Sequence, residues 1–155
     1  MQKSPNMAQL DICDVLRAIS DDKALAIFNT VALAADSGRN IILSRLKMTR
    51  KQYYSRMFTL INADLVARKK GRYFLTSFGK VVYEVHTLIG RAEQNYWKLK
   101  TVDTIESSSN NTLTPEERDR LISSLIVDNE LKEILLGASK ENNQELISLQ
   151  QTSHL

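Results

Sequence analysis

Residues 49–56 bring together side chains whose hydrogen-bonding groups match the base edges and backbone of double-stranded DNA. An arginine can pair with guanine O6 and N7, and a glutamine can pair with adenine N6 and N7. Tyrosine and serine hydroxyls can donate to phosphates, and both residues can contact a thymine methyl group. Arg56, at the edge of the set, is predicted to contact a phosphate. The predicted base-contacting residues are Thr49, Arg50, Lys51, Gln52, Tyr54 and Ser55.

A second group of basic residues follows at the predicted tip of a β-hairpin, within reach of a flanking backbone or minor groove. Residues 39–72 hold ten basic residues and one acid, Asp64. Such clustering of one sign is the electrostatic signature of polyanion binding, although a solvated basic face is the simpler alternative. The hairpin residues predicted to contact DNA are Arg68, Lys69, Lys70 and Arg72. The predicted supporting contacts to the DNA backbone are Arg39, Arg45 and Lys47.

A helix and a hairpin are predicted to position these two groups. Thr49 and Gln52 have the spacing of a capping box, in which each side chain bonds the other residue's backbone N–H. The buried face of the helix is predicted to consist of Tyr53, Met57, Leu60 and Ile61. Residues 65–76 then predict two short strands that meet at a Lys70-Gly71 turn.

Helices are also predicted before this segment. Residues 1–19 form an N-terminal extension with an amphipathic helix over Ala8–Ile19, in which Cys13 is expected to be a buried small hydrophobic residue rather than a redox sensor. Lys23–Ala35 is apolar nearly all round and predicts a helix buried on more than one side. A short helix is predicted over Ile41–Lys47. The predicted order is helix, helix, turn, helix, hairpin.

One long helix is predicted to follow over residues 77–105, capped by Ser77 and about 45 Å in length. An apolar stripe of that length exceeds what a domain of this size covers, so a second copy of the same helix is the expected partner. Packing against the chain's own N-terminal helix is the alternative. The predicted dimer interface consists of Val81, Val85, Leu88, Ala92, Tyr96 and Leu99.

The remainder of the chain differs in charge. Residues 101–155 carry ten acidic and four basic residues, a net charge of −6. Residues 106–112 are predicted to be a linker, 113–137 an acidic helical segment opened by Thr114-Pro115, and 138–155 a polar, flexible tail. The acidic segment is expected to pack on the dimer, to bind a protein partner, or to fold back onto the basic face as an inhibitor.

Composition excludes several classes of protein. No apolar run approaches the roughly 20 residues of a membrane span, and no secretory signal is recognisable, so a cytoplasmic, nucleoid-associated protein is expected. The single cysteine cannot form an internal disulfide. The histidines, His86 and His154, are isolated, and no metal-ligand cluster, glycine-rich phosphate loop or nucleophile elbow is present. No enzymatic activity, cofactor or metal is therefore expected.

Three segments, in the right order, resemble the archaeal winged helix-turn-helix transcriptional regulators of the ArsR and MarR type. Ala18–Ala34 resembles their opening helix, and Met48–Val66 resembles their recognition helix and its exit. Phe74–Tyr83 is similar to their Tyr-x-Leu-Thr-x-x-Gly exit from the wing. The resemblance covers residues 18–100. Asp64 replaces the glycine frequent in the exit turn, and the Cys-x-Cys of metal-sensing members is absent, so metal sensing is not implied.

The expected fold is therefore mostly α with a small β-hairpin: a winged helix-turn-helix over residues 20–105, with a long dimerisation helix and an extra C-terminal helical segment. The expected function is that of a homodimeric, DNA-binding transcriptional regulator. Two alternatives remain open. One is a winged-helix adaptor that binds proteins within a larger complex, and the other is a DNA-compacting protein with little sequence preference.

Overall fold

The computed structural model describes residues 11–33, 43–44, 46–108 and 113–137. The secondary structure is mostly helical, with one two-stranded antiparallel sheet in this part of the chain, as predicted at that level. The elements are helices α1 (Ile12–Ile19), α2 (Asp22–Leu33) and α3 (Arg50–Asn62), strands β1 (Val66–Lys69) and β2 (Arg72–Leu75), and helices α4 (Ser77–Gln94), α5 (Tyr96–Ser108) and α6 (Pro115–Leu125). Residues 129–137 are also helical and are called α7.

Some predictions fall on residues outside these ranges. They are the start of the first helix, the end of the helix over Lys23–Ala35, part of the short helix over 41–47, the end of the linker and the tail over 138–155. The chain divides into two compact units, Met1–Val85 and His86–Leu155, with the boundary inside α4. No helix in the described ranges is both long and apolar enough to cross a membrane.

The core of the first unit is organised around α2, which contacts α1, α3 and β2. Ile27 and Phe28 of α2 are fully buried, and they belong to the same apolar cluster as the inward face of α3. That face consists of Tyr53, Met57 and Leu60. Contacts with three elements fit the prediction that α2 is buried on more than one side, although its last residue, Leu33, is 78% exposed. Ile61 was predicted on the buried face of α3 but is exposed, at 37%, so that prediction is wrong.

Helix α1 buries one side and leaves several apolar side chains exposed on the other. Val15 and Ala18 are its buried residues, while Ile12 and Leu16 are exposed. Cys13 is exposed as well, so the expectation that it is a buried small hydrophobic residue is wrong. The apolar residues of α1 occur on more than one side of the helix, and contacts with α2 and α3 decide which side is buried.

Both ends of α3 are fixed by local hydrogen bonds. At its start, the Thr49 hydroxyl accepts from the Gln52 N–H at 3.3 Å and the Gln52 side chain accepts from the Thr49 N–H at 3.2 Å, which confirms the predicted capping box. At its end, the Asp64 N–H donates to the Ile61 carbonyl and the Leu65 N–H donates to the Leu60 carbonyl, both at 3.0 Å. These two bonds and the left-handed φ of 54° at Asp64 define a Schellman motif.

The hairpin after α3 has the predicted turn. Val66 pairs with Leu75 and Lys69 pairs with Arg72, so two residues, Lys70 and Gly71, connect the antiparallel strands. Both have positive φ, 50° and 81° respectively. This combination is typical of a type I′ turn, whose twist matches that of the paired strands.

Thr76 and Gly79 join the open end of the hairpin to α4. The Thr76 N–H donates to the Leu65 carbonyl at 3.1 Å, and the Thr76 hydroxyl accepts from the Gly79 N–H at 2.7 Å. The residue that caps α4 is therefore Thr76 rather than the predicted Ser77. A Cβ on Gly79 would lie 2.0 Å from the Leu65 carbonyl oxygen, so only glycine permits this approach.

The single helix predicted over 77–105 is instead two helices, α4 and α5, that meet at Asn95. The Asn95 side-chain amide donates to the Arg91 carbonyl at 2.9 Å, while the Asn95 backbone N–H shares the Arg91 and Ala92 carbonyls, both at 3.1 Å. Asparagine side chains compete in this way for helical carbonyls. The apolar periodicity continues past Asn95, and it therefore does not reveal the interruption.

The second unit has its own apolar core. The buried residues Val102, Ile122, Ile126 and Leu131 come from α5, from α6 and its end, and from α7. The predicted proline-containing cap of α6 is present, with Thr114 and Glu117 forming a capping box. The predicted linker began at residue 106, but α5 continues to Ser108. The acidic helical segment therefore packs with α5 and the end of α4 as one compact unit.

Candidate nucleic-acid interface

The outward face of α3 carries most of the residues predicted to contact bases. Arg50, Lys51, Tyr54 and Ser55 are exposed. Lys51 and Ser55 lie opposite the buried residues Tyr53, Met57 and Leu60, and Tyr54 lies between the two sides. Arg50 is three residues before Tyr53 and seven before Met57, so it shares their side of the helix and is exposed as the first residue of α3. The capping residue Thr49 is also exposed. Five of the seven residues predicted on this helix are therefore accessible to a ligand.

Gln52 has a structural role that limits contact with a base. Its side-chain oxygen accepts from the Thr49 N–H at 3.2 Å and from the Lys23 Nζ at 3.5 Å. Bidentate pairing with adenine requires that same oxygen as an acceptor for the adenine amino group. Gln52 was predicted both to cap α3 and to contact a base. Its side-chain oxygen is already used in the cap.

Arg56 is held by a carboxylate of the first unit. Its Nε donates to the Asp21 Oδ2 and its second terminal nitrogen donates to the Asp21 Oδ1 at 3.2 Å, in a two-pronged pair. Asp21 also accepts from the Ala24 N–H at 3.1 Å at the start of α2. The hydrogen bond from Arg56 lowers the pKa of Asp21 below its ordinary value of 3.8, and the same bond raises the pKa of Arg56.

The prediction that Arg56 contacts a phosphate therefore requires correction. Its guanidinium is paired within the molecule, where it ties α3 to the start of α2 and is only 27% exposed. The local sequence gave no sign of this pair, because Asp21 is 35 residues away along the chain. Arg56 is better described as a residue that positions α3.

The hairpin presents its basic residues at and near the tip. Arg68, Lys69, Lys70 and Arg72 are all exposed. The Arg68 guanidinium lies 5.8 Å from the ring centre of Tyr73, its partner on the opposite strand, in a cation–π arrangement. Lys69 and Arg72 lie directly across from each other, so two like charges meet beside the turn.

The three supporting residues are only partly described. Lys47 is exposed and has a left-handed φ of 46° in the turn before α3. Arg39 and Arg45 lie outside the described residues. Within the described ranges, the accessible basic residues of the predicted interface are therefore Arg50, Lys51, Lys47 and the four hairpin residues.

Phe58 is an exposed residue of α3 that the sequence analysis did not identify as part of the interface. Its side chain is 65% exposed, and it shares the outward side of the helix with Tyr54, at 45% exposed. A signal was present in the sequence: Phe58 directly follows Met57 and falls outside the regular spacing of the buried residues.

The six residues predicted at the dimer interface do not share one environment. Leu88, Ala92 and Leu99 are partly buried against the core of the second unit. The other three, Val81, Val85 and Tyr96, are exposed. Ile89 of α4 is also exposed, although it was not among the six. Half of the predicted stripe is therefore occupied by contacts within one chain.

In the described part of the chain, no group of three or more His, Cys, Asp and Glu residues is arranged to hold a metal ion. Comparisons with protein-family models, with curated proteins and with solved structures find no match to the chain.

Proposed function

We propose that this protein is a DNA-binding transcriptional regulator of the winged helix-turn-helix type. In this proposal α3 lies in the major groove, and the hairpin is the wing that contacts a flanking backbone or minor groove. The observation that supports it best is the exposed part of α3, which combines two cations, Arg50 and Lys51, with two hydroxyl-bearing side chains and directly precedes an exposed basic hairpin. Groups of these kinds suit base edges and phosphates together.

The dimensions of α3 suit that role. Its 13 residues correspond to a rod about 20 Å long, and a major groove about 12 Å wide admits a single helix. The exposed cations Arg50 and Lys51 occupy the first turn, and recognition helices commonly contact bases through their N-terminal residues. The ion pair between Arg56 and Asp21 supports the helix from its inner side.

The two basic groups would contribute differently. Arg50 and Lys51 would contact base edges and so provide sequence preference. Lys69, Lys70 and Arg72 would neutralise phosphates, which gives affinity for any duplex and makes binding weaken steeply as salt rises. Base contacts are sensitive to sequence, whereas phosphate contacts are not, so the two contributions can be separated experimentally.

A mobility-shift titration tests this proposal with duplexes selected from a random pool and with unselected duplexes. We expect Arg50→Ala to weaken binding to the selected duplex about ten-fold or more and unselected duplexes much less, since one bidentate base contact is worth about 1–3 kcal/mol. We expect Lys70→Ala to weaken both about equally. Arg120→Ala removes one exposed cation from α6 and is the matched control. Failure of the wild type to bind any duplex at low salt would refute the proposal.

We also propose that the regulator acts as a homodimer. The supporting observation is that Val81, Val85 and Ile89 are exposed at spacings of four along α4, a separation that places side chains on one side of a helix. A second copy would cover this apolar row. Sedimentation analysis should show a dimer for the wild type and a monomer for Val85→Glu. A wild type that stays monomeric at high concentration would refute this part of the proposal.

A protein-binding adaptor is the second candidate, and one observation favours it. Trp97 of α5 is 79% exposed, and Val127 and Ile134 in the same unit are exposed as well. Pull-down from native extract with and without nuclease separates the two candidates. A partner that survives nuclease, together with no selectable DNA site, would favour the adaptor. Selection that recovers duplexes with no common motif would instead favour a DNA-compacting protein.

A further inference from the structure

We propose that the outward aromatic residues of α3, Tyr54 and Phe58, contact the C5-methyl groups of thymines in the major groove. The protein would then prefer sites that carry thymines at defined positions. This inference rests on the proposed function, since it applies only if α3 lies in the groove. It adds to that function the chemical class of base that the helix selects.

The exposure of Phe58 is the first observation. The core-facing residues Tyr53, Met57 and Leu60 are between 0% and 1% exposed, whereas Phe58 is 65% exposed. Phe58 therefore does not contribute to the core of the first unit. Leaving a large aromatic side chain in water forgoes the roughly 1.5–3 kcal/mol that its burial would contribute, so a ligand that covers it gains affinity.

The neighbours of Phe58 indicate what kind of ligand covers it. Residues 51, 54 and 58 are spaced by three and four, so Lys51, Tyr54 and Phe58 form one row along the outward side of α3. The helix contains no acidic residue. This row has a cation at one end and two aromatic rings after it. It therefore suits a ligand surface with negative charge at its edge and apolar groups further in.

The major groove of DNA is such a surface. Phosphates line its edges, and the thymine methyl is the apolar group that a base pair presents there. Phenylalanine side chains contact that methyl directly. A purely apolar protein surface fits less well as the ligand, because it would offer no negative charge to Arg50, Lys51 and the basic hairpin.

The geometry sets the spacing of the expected thymines. Tyr54 and Phe58 are four residues apart, a rise of about 6 Å along the helix. Successive base pairs are about 3.4 Å apart, so the two rings would reach methyl groups about two base-pair steps from each other. The Tyr54 ring is held edge-on against the buried Tyr53 ring, with centres 5.5 Å apart, which fixes its position before DNA binds.

The test uses duplexes in which uracil replaces thymine, since this removes only the methyl group and leaves base pairing intact. Sites are first selected from a random pool with the full-length wild type, and each thymine of the preferred site is then replaced singly. We expect two positions, about two steps apart, at which replacement weakens binding about four-fold, the effect of one buried methyl group.

Phe58→Ala should reduce the effect at one of these positions to less than 1.5-fold, and Tyr54→Ala should do the same at the other. Val127→Ala, which shortens an exposed apolar residue of the second unit, should leave both effects unchanged. Because Phe58 is exposed, its alanine variant should retain the wild-type melting curve. The uracil series on the wild type needs no variant, so it tests the inference even if a variant folds poorly.

The outcomes separate this inference from the proposed function. A wild type that selects a site but binds its thymine and uracil forms equally would overturn the methyl contact and leave the DNA-binding proposal intact. Failure to bind any duplex would overturn both. Unchanged discrimination in Phe58→Ala, with loss of dimer formation in the same variant, would assign this face to a protein contact and overturn the inference.

Discussion

Replacing Gly79 by alanine should destabilise the first unit strongly, because α4 and the backbone of Leu65 approach each other without room for a side chain. An ideal Cβ at residue 79 would lie 2.0 Å from the Leu65 carbonyl oxygen and 2.8 Å from its carbonyl carbon. Non-bonded heavy atoms need about 3.5 Å. The first turn of α4 would have to withdraw from Leu65 by about 1 Å or more.

The free-energy cost follows from what that withdrawal disrupts. It stretches the Gly79 N–H bond to the Thr76 hydroxyl, now 2.7 Å, and the Thr76 N–H bond to the Leu65 carbonyl, now 3.1 Å. Each such bond contributes about 1 kcal/mol. Overpacking costs a further 1–3 kcal/mol or so, and here a backbone group cannot move aside as a flexible side chain could. We expect Gly79→Ala to lower the free energy of unfolding by about 3–5 kcal/mol, a large part of the total stability of a domain.

Urea unfolding followed by far-UV circular dichroism measures this change. Gly90→Ala is the matched control, since it makes the same substitution in the same helix where no atom lies within 4 Å of the added Cβ. Alanine is a better helix former than glycine, so the control should gain about 0.5–1 kcal/mol. The two variants should therefore shift in opposite directions. A Gly79→Ala variant within about 0.5 kcal/mol of the wild type would refute the close approach.

Two further predictions concern charge and backbone conformation. Asp21→Asn keeps a side chain that can cap α2 but loses the charged partner of Arg56, so at pH 7 it should cost up to about 1 kcal/mol, as expected for a partly exposed pair. Because folding lowers the pKa of Asp21 below 3.8, the wild type should lose this advantage as the pH falls from 3.8 through the lowered pKa. A difference in urea stability between the two proteins that does not shrink as the solution is acidified would contradict the assignment. Asp64→Gly should raise the free energy of unfolding by up to about 1 kcal/mol, because Asp64 has a left-handed φ of 54° that glycine adopts without steric cost. A melting temperature lower than that of the wild type would contradict this prediction.

The features that could be predicted from the sequence are those set by neighbours along the chain. The Thr49 and Gln52 capping box needs only four consecutive residues, and the Lys70-Gly71 turn needs only two residues between strands. Helix α2 was predictable because apolar residues all round a helix require partners on several sides. Each of these features depends on short-range geometry that residue type alone determines.

The features that escaped prediction depend on contacts between distant parts of the chain. Arg56 looked available until the fold placed Asp21 beside it. The apolar stripe over residues 81–99 looked like one interface, but Leu88 and Leu99 pack against the core of the second unit. Gly79 is required because the backbone of Leu65 lies close to it. The residues next to Gly79 in the sequence do not reveal that approach.

The candidate interface shows the same division. The exposure of Lys51 and Ser55 followed from helical periodicity, since both lie opposite the buried residues of α3. For Gln52, the capping hydrogen bond was predictable from the sequence, but the hydrogen bond from Lys23 to its side chain was not. Phe58 was missed although the spacing of Tyr53, Met57 and Leu60 already placed it outside the buried face.

The hairpin is anchored at one end only, and this has a consequence for how such a protein could diversify or be redesigned. At the open end, Leu65, Thr76 and Gly79 fix the chain in hydrogen bonds and a close backbone approach. At the turn, a Cβ added to Gly71 would meet no atom within 4 Å apart from its chain neighbours. Insertions or charge changes at the tip therefore leave the anchored end intact. If the proposed function holds, the length and charge of the hairpin could be exchanged between related chains, by evolution or by grafting, without changing the base preference that we propose for α3.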